Sequence, residues 1–434
     1  MASEMGCQPL RTVAQVRSGF AFKSGDMGAV GLPVIKIKNI VPPTVDTEDC
    51  ERVPEEVIAG IPNVERFELK EGDILIAMTG ATVGKVGRLP RVRERYFLNQ
   101  RVGKVYLNDP AEADYRFLYY VLSQGDYVRQ MFGLADGSAQ ANISGSQIES
   151  IEIPLPSLPQ QQAISTVLGT LDDKIELNQR MSETFEAMAR ALFKSWFVDF
   201  DPVRAKMEGQ DPGLPKEIAD LFPSRLVESE LGEIPEGWKV RSLDEIGHFL
   251  NGLALQKYPP VDELGLPVIK IAQLRAGNAT GADRASADLD ANYIVKDGDI
   301  LFSWSGSLEC VLWVGGEGAL NQHLFKVTSA TYPRWLCYLG IHTHLAGFRR
   351  IAASKATTMG HIRRHHLSEA KLAMPPDPLL QAMSDQLNPI VEVLWKRGVE
   401  SRTLATLRDA LLPKLISGEI RVQTAMRHVE EAIA

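Results

Sequence analysis

Two tracts of this sequence carry side chains suited to holding a polyanion and reading hydrogen-bonding edges. In the first, Lys85, Arg88, Arg91, Arg93, Arg95 and Arg101 surround the tetrad Phe97-Leu98-Asn99-Gln100. An arginine fork pairs with two acceptors of guanine, Asn or Gln with adenine, and either basic side chain with phosphate. If residues 91–95 are extended, side-chain alternation puts Arg91, Arg93 and Arg95 on one face. In the second tract, GSAQANIS at 137–144 is small and polar, which permits close backbone approach to phosphates. A later counterpart, TTMGHIRRHH at 357–366, is strongly basic. Gln140, Arg363 and Arg364 are the foremost candidates there. Asn321, Gln322 and His323 repeat the Asn-Gln pair of the first tract. A solvated charge run has the same composition, so the elements beneath these residues decide between the two readings.

Bond-making chemistry is hard to find. GATVGKVG at 80–87 has one residue too few between its glycines for a phosphate loop, and Val86 stands where Ser or Thr is required. MPPDP and YPPV do not fit the Asn/Asp-Pro-Pro-aromatic motif of adenine methyltransferases, and neither GxSxG nor HExxH occurs. All eight histidines fall after residue 240, seven of them within 238–376, yet HTH and HIRRHH lack the spacing of a closed zinc site. No catalytic residue and no metal ligand is assigned.

The 434 residues are 44% hydrophobic and 24% charged, a folded chain long enough for two or more domains. A net charge of −8 argues against non-specific coating of nucleic acid but leaves local basic patches free to bind it. No apolar run reaches membrane-spanning length, and the first residues lack an apolar leader core. Cys7, Cys50, Cys310 and Cys337 are scattered, as in a reduced compartment. A cytoplasmic protein is the expectation.

The chain repeats itself. GLPVIKI occurs at 31–37 and 265–271, GDIL at 72–75 and 298–301, and LNQ-x-x-x-KV at 98–105 and 320–327. Leu10, Val13, Val16 and Gly19 match Leu243, Ile246, Phe249 and Gly252. The second copy is shorter in its middle and gapless from about Ile143 onward. Each copy opens with short strand signals punctuated by Gly and Pro, a mixed, largely β domain, and closes with a helix after a Pro-rich stop.

Ile164, Leu168, Leu171, Ile175, Asn178, Ser182, Phe185, Ala189, Leu192 and Trp196 alternate spacings of four and three, a heptad seam. The second copy repeats it from Met383 to Leu415. Each helix is roughly 58 Å long at about 1.5 Å per residue. Both seams turn polar midway, at Asn178 and Ser182 and at Arg397 and Ser401. Antiparallel helices would bring these residues together and fix register. Each stripe could instead pack on its own domain. Pro389 puts the straightness of the second helix in question.

IPLPSLPQQQAI, LDDKIELNQRMSETFEAMARALFKSWFVDFDPVRAKMEG, LGEIPEGWKV and LRDALLPKLISGEI resemble the specificity subunit of type I restriction–modification systems, and the resemblance covers nearly the whole chain. It implies an α+β fold, with two target-recognition domains at 1–156 and 238–376. Long helices at 157–200 and 377–420 would form an antiparallel coiled coil, with a linker at 201–237 and a tail at 421–434. Each recognition domain would read one half of a split double-stranded DNA site. The chain itself would bind no cofactor. Two methyltransferase subunits with S-adenosylmethionine, and two translocase/endonuclease subunits with ATP and Mg, would supply the chemistry. Trp196, Phe197 and Phe200, beside the acidic linker, are candidate partner contacts or simply core. Independently of the resemblance, unlike readers on a fixed spacer suit an asymmetric site rather than a palindrome. A fused methylating enzyme lacks its motifs here, and a purely protein-binding coiled coil leaves the arginine runs unexplained.

Overall fold

A computed structural model describes residues 6–136, 141–261, 265–354 and 360–433. The fold is α+β. The chain divides into two compact units, Met1–Asp173 with Thr406–Ala434, and Lys174–Ala405. The unit boundaries fall inside the two long helices, because the ends of each helix share a core with a β domain. No helix among the described residues is long and apolar enough to cross a membrane.

In the first unit, strand Cys7–Pro9 pairs antiparallel with Glu152–Pro154 and closes the domain. One sheet orders its strands 14–18, 102–107, 74–77, 86–88, 44–45 and 40–41; a second orders them 51–53, 32–35, 96–98 and 68–69. Ile74–Ala77 is buried along its whole length, as an interior strand covered on both faces must be. A nearly buried ion pair, Lys104 Nζ to Asp73 Oδ2 at 2.5 Å, lies beneath this sheet.

The second unit repeats the plan without counterparts of the strands at 40–41 and 44–45, and adds a hairpin of 226–229 with 232–235. Lys239–Ser242 pairs with Lys371–Met374. One sheet runs 248–251, 324–328, 300–303, 310–312, and the other 284–285, 266–269, 318–320, 294–295. The repeated words have repeated positions. GLPVIKI forms Leu32–Ile35 and Leu266–Ile269, each parallel to the strand that ends at LNQ. GDIL forms Ile74–Ala77 and Ile300–Ser303. The ion pair returns as Lys326 Nζ to Asp299 Oδ2 at 2.9 Å.

The long helices span Leu158–Lys194 and Asp377–Ile416. Ser157 and Gln160 close the start of the first: Ser157 N–H donates to Gln160 Oε1 at 3.1 Å, and Gln160 N–H donates to Ser157 O at 2.8 Å. The second continues unbroken through Pro389, whose ring faces solvent. In the first unit, Arg408 donates to Asp172 at 2.8 Å, and Tyr120 donates to the same carboxylate at 2.5 Å. In the second unit, Lys174 pairs with Glu400 at 3.4 Å, while Ala189, Phe193 and Phe197 share a core with Met383, Leu387 and Val391. Early residues of one helix therefore meet late residues of the other, which is antiparallel pairing.

The polar middle of the seam divides its roles. Ser182, Arg397 and Ser401 are half-buried, and Arg397 donates to Glu400 at 2.6 Å. Asn178 is only 1% exposed, and neither atom of its amide finds a partner among the described residues. An unsatisfied buried amide costs about 1–3 kcal/mol. Asn178→Leu is accordingly expected to raise the unfolding free energy of the intact chain by an amount of that order, read as a higher denaturant midpoint at unchanged slope. A lowered midpoint would show that the amide has a partner the fold needs.

Candidate nucleic-acid interface

The two β domains build the same groove at the same place. Each has three walls: the end of the GDIL strand, the Asn-Gln turn, and the loop that precedes the closing strand. In the first unit, Gly80 N–H donates to Ala141 O at 2.8 Å and Ile143 N–H to Met78 O at 2.9 Å. In the second, Gly306 N–H donates to Gly360 O at 2.8 Å and Ile362 N–H to Trp304 O at 2.9 Å. Thr79 bridges Asn142 just as Ser305 bridges His361. The first groove encloses about 540 Å³ between Ser18, Thr79, Gln100, Arg101, Asn142 and Ser144.

The turns are held identically. Asn99 and Asn321 are buried, and each uses its side-chain oxygen to accept the N–H two residues on, from Arg101 at 3.3 Å and from His323 at 3.2 Å. Such a turn fixes the backbone and carries the following side chains outward: Gln100 and Arg101 are exposed, Gln322 and His323 half-buried. The Asn residues predicted as base contacts thus shape the turn, and their neighbours face the groove.

The grooves differ in their side chains. In the second, Ser305 Oγ lies 3.0 Å from His323 Nδ1, and the His323 ring lies 5.7 Å from the Trp304 ring. Trp304 Nε1 donates to Asn251 Oδ1 at 2.9 Å, and its ring meets His361 edge-on at 6.4 Å. In the first, Met78 replaces Trp304 and Arg101 replaces His323; Arg101 makes no side-chain bond among the described residues, and the Thr79 hydroxyl has no partner there.

The remaining predicted contacts divide. Lys85, Arg91 and Arg93 are exposed, and Arg88 is half-buried beside Gly72. The row expected of Arg91, Arg93 and Arg95 does not form: residues 91–95 are not a strand and bend at 93–94. Arg95 is committed to Glu68 through two bonds, at 3.0 and 2.8 Å, and lies over the Phe97 ring. Hydrogen bonding from that guanidinium holds the Glu68 carboxyl below its ordinary range. Arg364 donates to Phe249 O at 3.1 Å and covers the Phe325 ring, so it braces the loop. Arg363 is exposed, with no side-chain partner among the described residues. Arg363→Ala is expected to weaken binding to all duplexes alike and to reduce the salt slope by about one. Unchanged affinity across a salt series would remove Arg363 from the interface. Gln140 lies outside the described residues.

Trp196, Phe197 and Phe200 are not surface contacts. They are 3%, 3% and 7% exposed and pack with Phe222, Trp238 and Trp335. The first long helix widens over Ser195–Asp199 and ends at Phe200 with φ 56°, which turns these rings into the second unit's core. His365, His366 and Glu369 bring donor atoms within 4.8 Å of one another. His366 Nδ1 already accepts the Arg363 N–H at 2.8 Å, and three donors fall short of the four a structural zinc takes.

Asn142 and His361 lie within the tracts 137–144 and 357–366 that the sequence marks, whereas Thr79, Trp304 and Ser305 fall outside every tract marked there. A signal was present: GDIL is followed in both copies by four residues and a glycine, Gly80 and Gly306. That extension marks the strand end at which each groove opens.

The model of the type I restriction modification DNA specificity domain matches residues 9–187 and 235–392. The chain is 26% identical over 386 residues to the type I restriction enzyme MjaIX specificity subunit of Methanocaldococcus jannaschii, covering 83% of this chain and 82% of that one. It is 24% identical over 417 residues to the HindI specificity subunit of Haemophilus influenzae, covering 84% and 90%. The crystal structure of the S subunit from a type I restriction–modification system of M. genitalium has the same fold, with a TM-score of 0.50 at 15% identity over 94% of this chain and 95% of that one. With the family's domain matched in both copies, each carrying a groove at the same strand ends, the chain belongs to the DNA sequence-recognising specificity subunits of type I restriction–modification systems.

Proposed function

We propose that each recognition domain reads one half of an asymmetric, bipartite duplex site, and that the paired helices set the spacer between the halves. The observation that carries this reading is the duplicated groove: one backbone frame, built twice, with different side chains at its walls. One frame in two versions suits two different half-sites on one duplex. The chain contributes recognition only and acts in the cytoplasm. Two methyltransferase subunits holding S-adenosylmethionine would methylate adenine N6, one in each half-site, after flipping the base from the stack. Two translocase/endonuclease subunits would bind ATP and Mg and perform restriction.

Binding by the chain reconstituted with its methyltransferase partner tests this. The expected result is salt-dependent affinity that falls when either half-site is scrambled or when the spacer is changed by one base pair. Affinity indifferent to spacer length would contradict it.

A further inference from the structure

We propose that Arg101 and His323 are the equivalent specificity-determining residues of the two grooves, Arg101 reading a guanine in one half-site and His323 selecting a different base at the matching position of the other. The inference rests on the split-site reading and adds to it which side chains make the halves unlike.

The argument begins with what the two copies share. Asn99 and Asn321, Gln100 and Gln322, and Gly80 and Gly306 are the same residue in both grooves. Identical residues on identical backbone cannot by themselves distinguish two half-sites. The walls differ at Ser18 against Asn251, Met78 against Trp304, Thr79 against Ser305, Arg101 against His323, Asn142 against His361, Ser144 against Arg363 and Gly145 against Arg364. Of these, the residue after the Asn-Gln pair is the one that the shared turn carries into the groove in both copies, and it changes from a guanidinium to an imidazole. An arginine presents five donors in a planar fork and takes guanine O6 and N7 together; an imidazole has two ring nitrogens, and with Nδ1 of His323 beside Ser305 only Nε2, which Gln322 approaches at 3.4 Å, is left to meet a base.

The surroundings have changed with it. His323 is held on three sides: Nδ1 at 3.0 Å from Ser305 Oγ, the ring 5.7 Å from Trp304, and Nε2 at 3.4 Å from Gln322 Nε2. Trp304 is itself fixed by bonds to Asn251 Oδ1 at 2.9 Å and Gln322 O at 3.1 Å. A short reading group needs this bracing to hold one angle. Arg101 is exposed and unbraced among the described residues, and the Thr79 hydroxyl that would correspond to Ser305 is unused there. A long fork that supplies two bonds of its own aligns itself on the base. Ser305 is on this view a positioning residue for His323.

Selection from a pool of randomised duplexes tests the proposal, using the chain reconstituted with its methyltransferase partner. Arg101→His is expected to lose a guanine preference of about ten- to hundredfold at one position of one half-site, leaving the other half unchanged. His323→Arg should acquire a guanine preference at one position of the other half. Ser305→Ala should broaden that same position without moving the first half. If the substitutions at Arg101 and His323 lower affinity for all sequences alike and reduce the salt slope, these residues hold phosphates; the proposal then fails while the split-site reading stands. If the unaltered chain selects a single undivided motif, the split-site reading itself fails.

Discussion

Alanine in place of Gly252 is expected to leave a chain that reads only one half of its site, and Gly19→Ala to do the same to the other half. A Cβ on Gly252 would lie 2.2 Å from the Asn321 carbonyl oxygen, and one on Gly19 would lie 2.0 Å from that of Leu98. Both obstacles are backbone atoms and cannot rotate away. They belong to the Asn-Gln turns, which are clamped from both sides. Phe20 N–H donates to Leu98 O at 2.8 Å and Gln100 N–H to Phe20 O at 2.9 Å; Leu253 and Gln322 repeat the pair, both at 2.9 Å. Relief of the overlap must move the turn that carries Arg101 or His323. Overpacking of this kind costs about 1–3 kcal/mol, which the cooperative unit can survive, whereas a displacement of about 1 Å is enough to misplace a reading group. The test is binding to duplexes with one half-site scrambled. Gly252→Ala should treat an intact second half and a scrambled one alike while still discriminating in the first. Full discrimination in both halves would show that the turns are not reading elements.

Removing one partner of the buried pair beneath the first sheet should have the largest effect on stability. Lys104 and Asp73 are 10% and 11% exposed in their side chains and lie 2.5 Å apart. Lys104 also donates to Glu68 O at 3.4 Å, and Asp73 accepts the Lys70 N–H at 2.7 Å. Lys104→Met leaves the Asp73 carboxylate buried without its counter-charge, a change worth about 3–5 kcal/mol. Lys326→Met is expected to cost less, since its partner Asp299 is 22% exposed and reaches more water. Denaturant unfolding of the two variants measures both. A loss below about 1 kcal/mol for Lys104→Met would show that water screens the pair.

Much of the frame is legible in the sequence because it rests on local pattern. GLPVIKI and GDIL are strands in both copies, and the four-three alternation from Ile164 to Trp196 becomes a long helix with a buried stripe. The grooves were half visible. Arg101, His323 and the loop containing Arg363 follow from charge and repeat, yet the bridges from Thr79 to Asn142 and from Ser305 to His361 join residues far apart in the chain. Arg95 shows where composition misleads: its charge is spent on Glu68, 27 residues away, and no local pattern announces that pairing. Trp196, Phe197 and Phe200 mislead differently. Three aromatic residues beside an acidic linker look exposed until the widened turn at Ser195–Asp199 swings them into a core with Trp238 and Trp335.

The most direct test is a genome-wide map of N6-methyladenine in cells with and without this chain. Two unlike short motifs at one fixed separation, each carrying a methylated adenine and both lost with the chain, are the predicted outcome. A single uninterrupted or palindromic motif, or marks that persist when the chain is removed, would contradict the account.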